Sequence, residues 1–189
     1  MANETFDLSG KVAVITGGNG GIGLGFARAV AAAGADVCVW GTNPEKNEQA
    51  AEELRLVNPT ASSMQCDVSQ EEQVEECMAD VISKYGRIDA CFPNAGIGTQ
   101  NDKPFFEHSN EDWHSVLDVN LTGVFFTLRA ATRQMVKQGE GGSLILTSSG
   151  TAIQGSPKGQ AYAASKGAML AMMMGLSVVV AIVGVRTIG

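Results

Sequence analysis

Short apolar runs rich in β-branched residues alternate along this chain with longer segments of helical periodicity. The first run covers residues 11–16, a helical segment reaches Ala33, and a second run at residues 36–40 precedes a charged helical segment over 44–57. Because such runs are apolar on both faces, they indicate strands of a parallel sheet covered by crossover helices on both sides. The pattern therefore predicts an α/β fold: a doubly wound parallel sheet in a three-layer α/β/α arrangement.

The same alternation continues to the end of the chain. Three more strands are expected at residues 63–66, 88–92 and 143–147. Three more helices are expected at residues 70–85, at 110–138 and from Gln160 onward. No internal repeat or low-complexity linker interrupts the pattern, so residues 1–189 are expected to form a single domain. Ligands of such sheets bind at the carboxyl ends of the strands.

Charge and cysteine content narrow the classes of function. The chain has 20 acidic and 13 basic side chains, a formal net charge of -7, so nucleic acid is not expected as a partner. Its four cysteines form no C-x-x-C pair and its two histidines bring no matching ligand set, so free thiols and no metal site are expected. The first seven residues lack the features of a secretory signal, and a cytoplasmic location is expected.

The first strand ends in a glycine-rich turn that leads directly into an alanine-rich helix. The turn reads Thr16-Gly17-Gly18-Asn19-Gly20-Gly21-Ile22-Gly23. A backbone without Cβ atoms lets a phosphate approach closely, and the amides at the helix start add partial positive charge. The turn thus predicts a nucleotide-binding loop, although glycine turns also serve as plain connections. Two glycine spacings fit it, either 17, 21 and 23 or 18, 20 and 23.

Tyr162 and Lys166 lie four residues apart at the start of the last helix and therefore share one helical face. A free phenol is a poor base at neutral pH because its pKa is about 10. An ammonium about 4 Å away, at an effective dielectric of about 20, favours the phenolate by about 4 kcal/mol. The pair is a candidate acid/base, and its structural alternative is a surface tyrosine and lysine at ordinary helical spacing.

Five separated motifs follow the order of the short-chain dehydrogenase/reductase family, which the chain resembles from about Leu8 to Lys166. They are the glycine turn, Asn94-Ala95-Gly96, Asn120, Ser149 and Tyr162-x-x-x-Lys166. The resemblance implies a Rossmann-like fold and an oxidoreductase that moves a hydride between NADP or NAD and an alcohol or carbonyl substrate.

The resemblance also implies a role for each matching residue. Tyr162 would exchange a proton with the substrate oxygen, Lys166 would lower the pKa of that tyrosine and hold the nicotinamide ribose, and Ser149 would donate a hydrogen bond to the same oxygen. Asn120 would position a water of the proton relay; alternatively it bonds the backbone locally, as helix asparagines do. The cofactor contacts implied are Gly17, Asn19, Gly21, Ile22, Gly23, Thr42, Asp67, Val68, Asn94, Ala95, Gly96, Tyr162 and Lys166.

Two of these contacts have structural alternatives. Asp67 resembles the family's adenine contact, but an aspartate there could equally cap the next helix. The segment Asn94-Ala95-Gly96 could be only a turn after Pro93. Substrate contacts are expected from the loops at residues 98–106 and 153–160, which do not identify the substrate.

Cofactor choice depends on the end of the second strand, where folds that bind NAD tend to place an acid. Here that position reads Gly41-Thr42-Asn43, and Asp36 lies at the opposite end of the strand. The missing acid permits the 2′-phosphate of NADP. However, the arginine that family members often use is absent at Thr42, and Gly20 replaces the basic residue common in the first loop. NADP is expected over NAD, with both left open.

The chain departs from the family pattern after Lys166. Thr187-Ile188-Gly189 falls where a sixth strand should begin, and the Pro-Gly segment that normally follows is absent. The last strands are therefore expected to be missing and the fifth strand to be an unpaired edge. A truncated, non-catalytic nucleotide-binding or dimerising module is accordingly the alternative function.

Residues 167–185 contain no charged side chain and meet the length criterion for a membrane helix. Gly175 and Ser177 interrupt this segment, and family members bury the corresponding helix against the sheet and a partner subunit. A helix buried in the core or in a subunit interface is therefore expected rather than a membrane span, and self-association as a homodimer or homotetramer is expected from the apolar surfaces of the last two helices.

Overall fold

A six-stranded parallel sheet organises the chain. The computed structural model describes residues 6–98, 103–154 and 159–189. The strands are β1 (Val12–Thr16), β2 (Asp36–Gly41), β3 (Ser62–Gln65), β4 (Ala90–Phe92), β5 (Gly142–Ile145) and β6 (Val185–Ile188). They lie in the order β3-β2-β1-β4-β5-β6, and every neighbouring pair is parallel. The predicted doubly wound α/β sheet is confirmed.

Within the described residues, six α-helices connect the strands. They are α1 (Gly21–Ala32), α2 (Pro44–Arg55), α3 (Glu71–Tyr85), α4 (Asn110–Leu117), α5 (Gly123–Gln138) and α6 (Gln160–Val180). The single long helix expected over 110–138 is present as α4 and α5, joined by a π-helical segment at Asp118–Thr122. Local signals fix the ends: Ser109 and Asp112 form a capping box before α4, and Gly139 ends α5 with a φ of 73°.

Alternate residues of each central strand face two separate cores. In β1, Val12 and Val14 pack with side chains of α3, α5 and α6, whereas Ala13 and Ile15 pack with side chains of α1 and α2. This is the side-chain period of two acting on strands that are buried on both faces. The sheet thereby holds the carboxyl ends of β1, β4 and β5 side by side.

The expectation that the fifth strand is an unpaired edge is wrong. β6 pairs in parallel with β5 over four residues, from Gly142↔Val185 to Ile145↔Ile188. Gly184, at a φ of 73°, turns the chain out of the last helical segment and into β6. The short run Val185–Ile188 is β-branched at three of its four positions, and it is long enough to complete a ladder.

The helix α6 has one buried and one exposed apolar face. Met169 and Met173 pack into the core, whereas Val178 and Val179 are exposed. With its continuation to Val183 the helix is long and apolar enough to cross a membrane, a test that core helices of other proteins also pass. A groove of about 380 Å³ runs between α5 and α6. Self-association through these helices stays a prediction.

Candidate active site

A cleft of about 570 Å³ opens at the carboxyl ends of β1, β4 and β5 and at the start of α6. It brings together many of the residues singled out from the sequence; its lining is Gly17, Asn19, Gly20, Ile22, Asn94, Ala95, Gly96, Ile97, Gly98, Thr147, Tyr162 and Lys166. The other candidates, which lie outside this lining, are Gly21, Gly23, Thr42, Asp67, Val68, Asn120 and Ser149. In the two candidate substrate loops, residues 99–102 and 155–158 are outside the described part of the chain.

The backbone of the glycine turn distinguishes the two possible spacings. Gly17 and Gly21 have φ values of 62° and 51°, in the left-handed region that favours glycine. A Cβ on Gly23 would lie 2.3 Å from the carbonyl oxygen of Gly17. Gly20, by contrast, has an extended φ of -177° and open space around it. The turn therefore requires glycine at 17, 21 and 23, and also at 18, where a Cβ would lie 2.8 Å from the carbonyl oxygen of Ile15, but it does not require glycine at 20.

Asn94 ties three strands together at the floor of the cleft. The hydroxyl oxygen of Thr16 accepts hydrogen bonds from the amides of Asn94, at 3.0 Å, and Ala95, at 2.9 Å. The hydroxyl of Thr147 donates to Oδ1 of Asn94 at 3.1 Å. Because it links the ends of β1 and β4 to the segment after β5, the segment Asn94-Ala95-Gly96 is more than a turn.

Lys166 places a cation inside this cleft. Its Nζ donates a 2.7 Å hydrogen bond to the carbonyl oxygen of Thr147, and the residue is only 3% exposed. Burial lowers the pKa of the Lys166 ammonium from its ordinary value of 10.5. The same Nζ lies 5.7 Å from the ring centroid of Tyr162, so the two side chains share the cleft as their helical spacing predicts.

Ser149 lies just after β5, outside the residues that line the cleft. Its Oγ accepts hydrogen bonds from the backbone amide of Thr151, at 3.3 Å, and from the Thr151 hydroxyl, at 3.0 Å. Both are accepted bonds, so the Ser149 hydroxyl proton remains available to a further acceptor.

Asn120 is fully buried in the π-helical segment. Its Oδ1 accepts from the amide of Ile97 at 2.8 Å, while its Nδ2 donates to the carbonyl of Ile97 at 2.9 Å and to Oγ of Ser165 at 3.2 Å. The alternative of a local backbone bond is wrong, because Ile97 is 23 residues away in the loop after β4. The side chain joins that loop to α6.

Asp67, Val68 and Thr42 have structural partners outside the cleft. Oδ1 of Asp67 accepts from the amide of Ser69 at 3.0 Å and from its hydroxyl at 2.7 Å, which forms the turn before α3. Val68 is buried against Gly123, where a Cβ would lie 2.7 Å from the valine side chain. The carbonyl of Thr42 accepts from Gln65 at 3.2 Å. The alternative that Asp67 caps the next helix is wrong, because the N-cap of α3 is Gln70 and Asp67 bonds Ser69 in the turn before it.

Three residues that contact the candidate site were not predicted from the sequence. Thr147 orients both Asn94 and Lys166, and Ser165 bonds Asn120, while Asn47 of α2 hydrogen-bonds Asn19 in the glycine turn. A backbone carbonyl such as that of Thr147 leaves no signal in a sequence. Asn47 does leave one, because it is a polar residue on the buried face that α2 forms with Ala50, Ala51 and Leu54.

The lining of the cleft fits a dinucleotide. A Cβ on Gly17, which lines the cleft, would lie 3.0 Å from Cα of Ala95, and among the described residues that line the cleft Lys166 is a cation and none is a carboxylate. Such a lining attracts phosphate and leaves room for a flat ring system. Within the described ranges, no group of three His, Cys, Asp or Glu side chains could hold a metal ion.

The chain belongs to the short chain dehydrogenase family, whose model matches residues 11–189. It is 35% identical over 179 residues to a 3-oxoacyl-(acyl-carrier-protein) reductase of Chlamydia pneumoniae, covering 95% of this chain and 71% of that protein. It is 34% identical to the secoisolariciresinol dehydrogenase of Forsythia intermedia, covering 95% of this chain and 64% of that one.

Solved structures agree with this family assignment. A short-chain type dehydrogenase/reductase from Mycobacterium marinum has a TM-score of 0.91 and 36% identity, with 97% of this chain and 74% of that one covered. A xylitol dehydrogenase with bound NAD+ has a TM-score of 0.90 and 34% identity, with 94% and 68% covered. The chain thus spans between about two thirds and three quarters of the length of most of these relatives.

Proposed function

We propose that this chain is an NAD(P)-dependent oxidoreductase that interconverts an alcohol and a carbonyl compound. The observation that carries the proposal is the Lys166 ammonium, which Thr147 holds in the cleft beside the Tyr162 ring. When bound, the nicotinamide ring of the cofactor supplies or accepts the hydride. Residues 1–189 would act as a single catalytic unit.

The chain's own residues supply the proton chemistry. Tyr162 exchanges a proton between its phenolic oxygen and the substrate oxygen, and Lys166, in the same cleft, would hold the nicotinamide ribose. Ser149 donates its free hydroxyl proton to the same substrate oxygen and so stabilises the charge that develops there. Asn120 acts indirectly, because its amide holds the Ile97 loop and α6 in register.

The other candidate residues would hold the cofactor. The turn glycines and the start of α1 would bind the phosphates, and Asn94-Ala95-Gly96 would pack against the nicotinamide half. Thr42, Asp67 and Val68 would flank the adenosine half from the ends of β2 and β3. NADP is proposed over NAD because the end of β2 carries no acid that would repel a 2′-phosphate.

The proposal is tested with purified protein, a panel of alcohol and carbonyl pairs, and both NAD(H) and NADP(H). Turnover is expected for at least one pair. Tyr162→Phe should then lower kcat by roughly a hundredfold or more while the coenzyme Kd changes little, since only the acid/base group is lost. Coenzyme binding without turnover would instead support the alternative, a non-catalytic nucleotide-binding or dimerising module.

A cytoplasmic homodimer or homotetramer acting on a small molecule, without nucleic acid or membrane, completes the proposal. The exposed apolar faces of α5 and α6 support self-association, since such patches are uncommon on monomers. Sedimentation equilibrium of the detergent-free protein measures the copy number directly.

A further inference from the structure

Asn47 is a polar residue buried in the contact between α2 and the ends of β2 and β3. It is 2% exposed, and its Nδ2 donates to the carbonyl oxygens of Gly41, at 2.8 Å, and Met64, at 3.0 Å. Both amide hydrogens are therefore engaged, which fixes the orientation of the side chain. The Oδ1 atom of Asn47 must then face away from these carbonyls.

That oxygen faces the glycine turn. Asn19 Nδ2 donates to Asn47 Oδ1 at 2.7 Å. Asn19 also lines the cleft, so a fully buried residue of α2 controls a side chain at the proposed cofactor site. Among the described residues, the second amide hydrogen and the Oδ1 of Asn19 have no protein partner, which leaves one donor and one acceptor for a ligand.

The amide pair occupies the place where a side chain on residue 41 would begin. A Cβ on Gly41 would lie 2.3 Å from Asn19 Nδ2 and 2.6 Å from Asn47 Oδ1. This is the end of the second strand, the position at which dinucleotide folds contact the adenosine ribose. In this chain two neutral amides therefore stand where an acid would otherwise project.

We propose that Asn47 is a positioning residue for the adenosine half of the cofactor. By holding Asn19 at the junction of the glycine turn and β2, it keeps one amide hydrogen and one carbonyl oxygen ready for the oxygen atoms on the 2′ side of the ribose. Because both amides are neutral, neither one repels a hydroxyl or a phosphate at that position of the ribose. The inference rests on the proposed use of NAD(P), and it adds a residue outside the cleft to that site.

A double-mutant cycle tests whether Asn47 acts through Asn19. The Kd values of NADH and NADPH are measured by fluorescence titration for the whole chain, for Asn19→Ala, for Asn47→Ala and for the double variant. Each single change is expected to raise the Kd by about fivefold to tenfold, as loss of one oriented hydrogen bond does. The coenzyme Kd of the double variant should be no higher than the higher of the two single-variant Kd values, because both changes remove the same interaction.

Two further variants separate positioning from folding. Gly41→Ala retains both asparagines but places a methyl group against Asn19 Nδ2 and Asn47 Oδ1, so its Kd should rise at least as much as that of Asn19→Ala. Leu54→Ala removes a buried side chain from the same helix without touching Asn19. It should lower the melting temperature by several degrees or more, while the coenzyme Kd stays within about twofold of the wild type. In Asn19→Ala and Asn47→Ala, the affinity for ADP-ribose should fall as much as the affinity for NADH does. The affinity of these two variants for nicotinamide mononucleotide should not change.

Distinct results overturn the inference and the function on which it rests. If the wild type binds coenzyme but Asn19→Ala and Gly41→Ala bind it equally well, the positioning role is wrong and the proposed function stands. Independent effects of Asn19→Ala and Asn47→Ala, multiplying in the double variant, would also exclude it. A wild type that binds neither NADH nor NADPH would remove the proposed function, and the inference with it.

Discussion

The Lys166 ammonium donates a 2.7 Å hydrogen bond to the carbonyl oxygen of Thr147, two residues past the end of β5. The hydroxyl of Thr147 in turn donates to Asn94, so one residue orients both the cation of the cleft and the segment after β4. The bond compensates in part for the burial of the charge, because an ammonium removed from water needs an acceptor. Lys166 is held in place by the sheet and does not depend on α6 alone.

Replacing Lys166 by methionine should change how stability depends on pH. Burial lowers the folded-state pKa of the lysine below 10.5, so between that pKa and 10.5 the unfolded chain binds more protons than the folded one. The wild type therefore gains stability as pH rises through this window. Urea unfolding at pH 7 and pH 10 measures the free energy of unfolding of both proteins. This free energy should rise less between the two pH values for Lys166→Met than for the wild type. An equal rise in both proteins would contradict the burial of the charge.

Alanine at Gly23 should destabilise the fold, whereas alanine at Gly20 should not. A Cβ on Gly23 meets backbone of Gly17 at 2.3 Å, which cannot be relieved by a side-chain rotation, and overpacking of this kind costs about 1–3 kcal/mol. Gly20 has open space and an extended backbone, so its substitution should change the free energy of unfolding by less than about 0.5 kcal/mol. Urea denaturation of both variants measures the difference, and a loss at Gly20 as large as that at Gly23 would show that the turn also requires glycine at position 20.

Asn120→Ala should destabilise the protein through the Ile97 loop. The variant leaves both the amide and the carbonyl of Ile97 without their side-chain partner, and an unsatisfied group of this kind costs about 1–3 kcal/mol. Ser115→Ala is the matched control, because Ser115 lies in the preceding helix and bonds only an exposed carbonyl of its own turn. Comparable free energies of unfolding for the two variants would show that the Asn120 bonds add nothing.

Most of the fold could be predicted from the sequence because the residue types of the strands distinguish them from the helices. The β-branched runs of β1 and β2 and the glycine turn between β1 and α1 sit where the pattern places them. β6 was missed because only four residues form it, and a run so short carries little periodicity. Its pairing is decided by β5, which offers an open ladder beside it.

The candidate site likewise has one part that could be predicted from the sequence and one part that could not. Tyr162 and Lys166 are predictable because helical spacing places both on one face, and the structure puts them in one cleft. The backbone partners of Asn120 and Lys166 are not predictable, since they are an amide and two carbonyls from distant strands and loops. Such contacts depend on tertiary packing, which residue type does not encode locally.

The four cysteines should react slowly with a thiol reagent until the protein unfolds. All four are free and buried, and burial raises the pKa of Cys38 to about 11 and that of Cys91 to about 12. Because the thiolate is the reactive form, almost none is present on Cys38 or Cys91 at pH 8, and burial keeps the reagent from the sulfur atoms of Cys66 and Cys77. Ellman's reagent should therefore release little chromophore from the native protein at pH 8 and four equivalents in guanidinium chloride, which serves as the control. Rapid labelling of the native protein would show that these side chains are exposed to solvent far more often than their burial allows, since a thiol can react only in a state that exposes it.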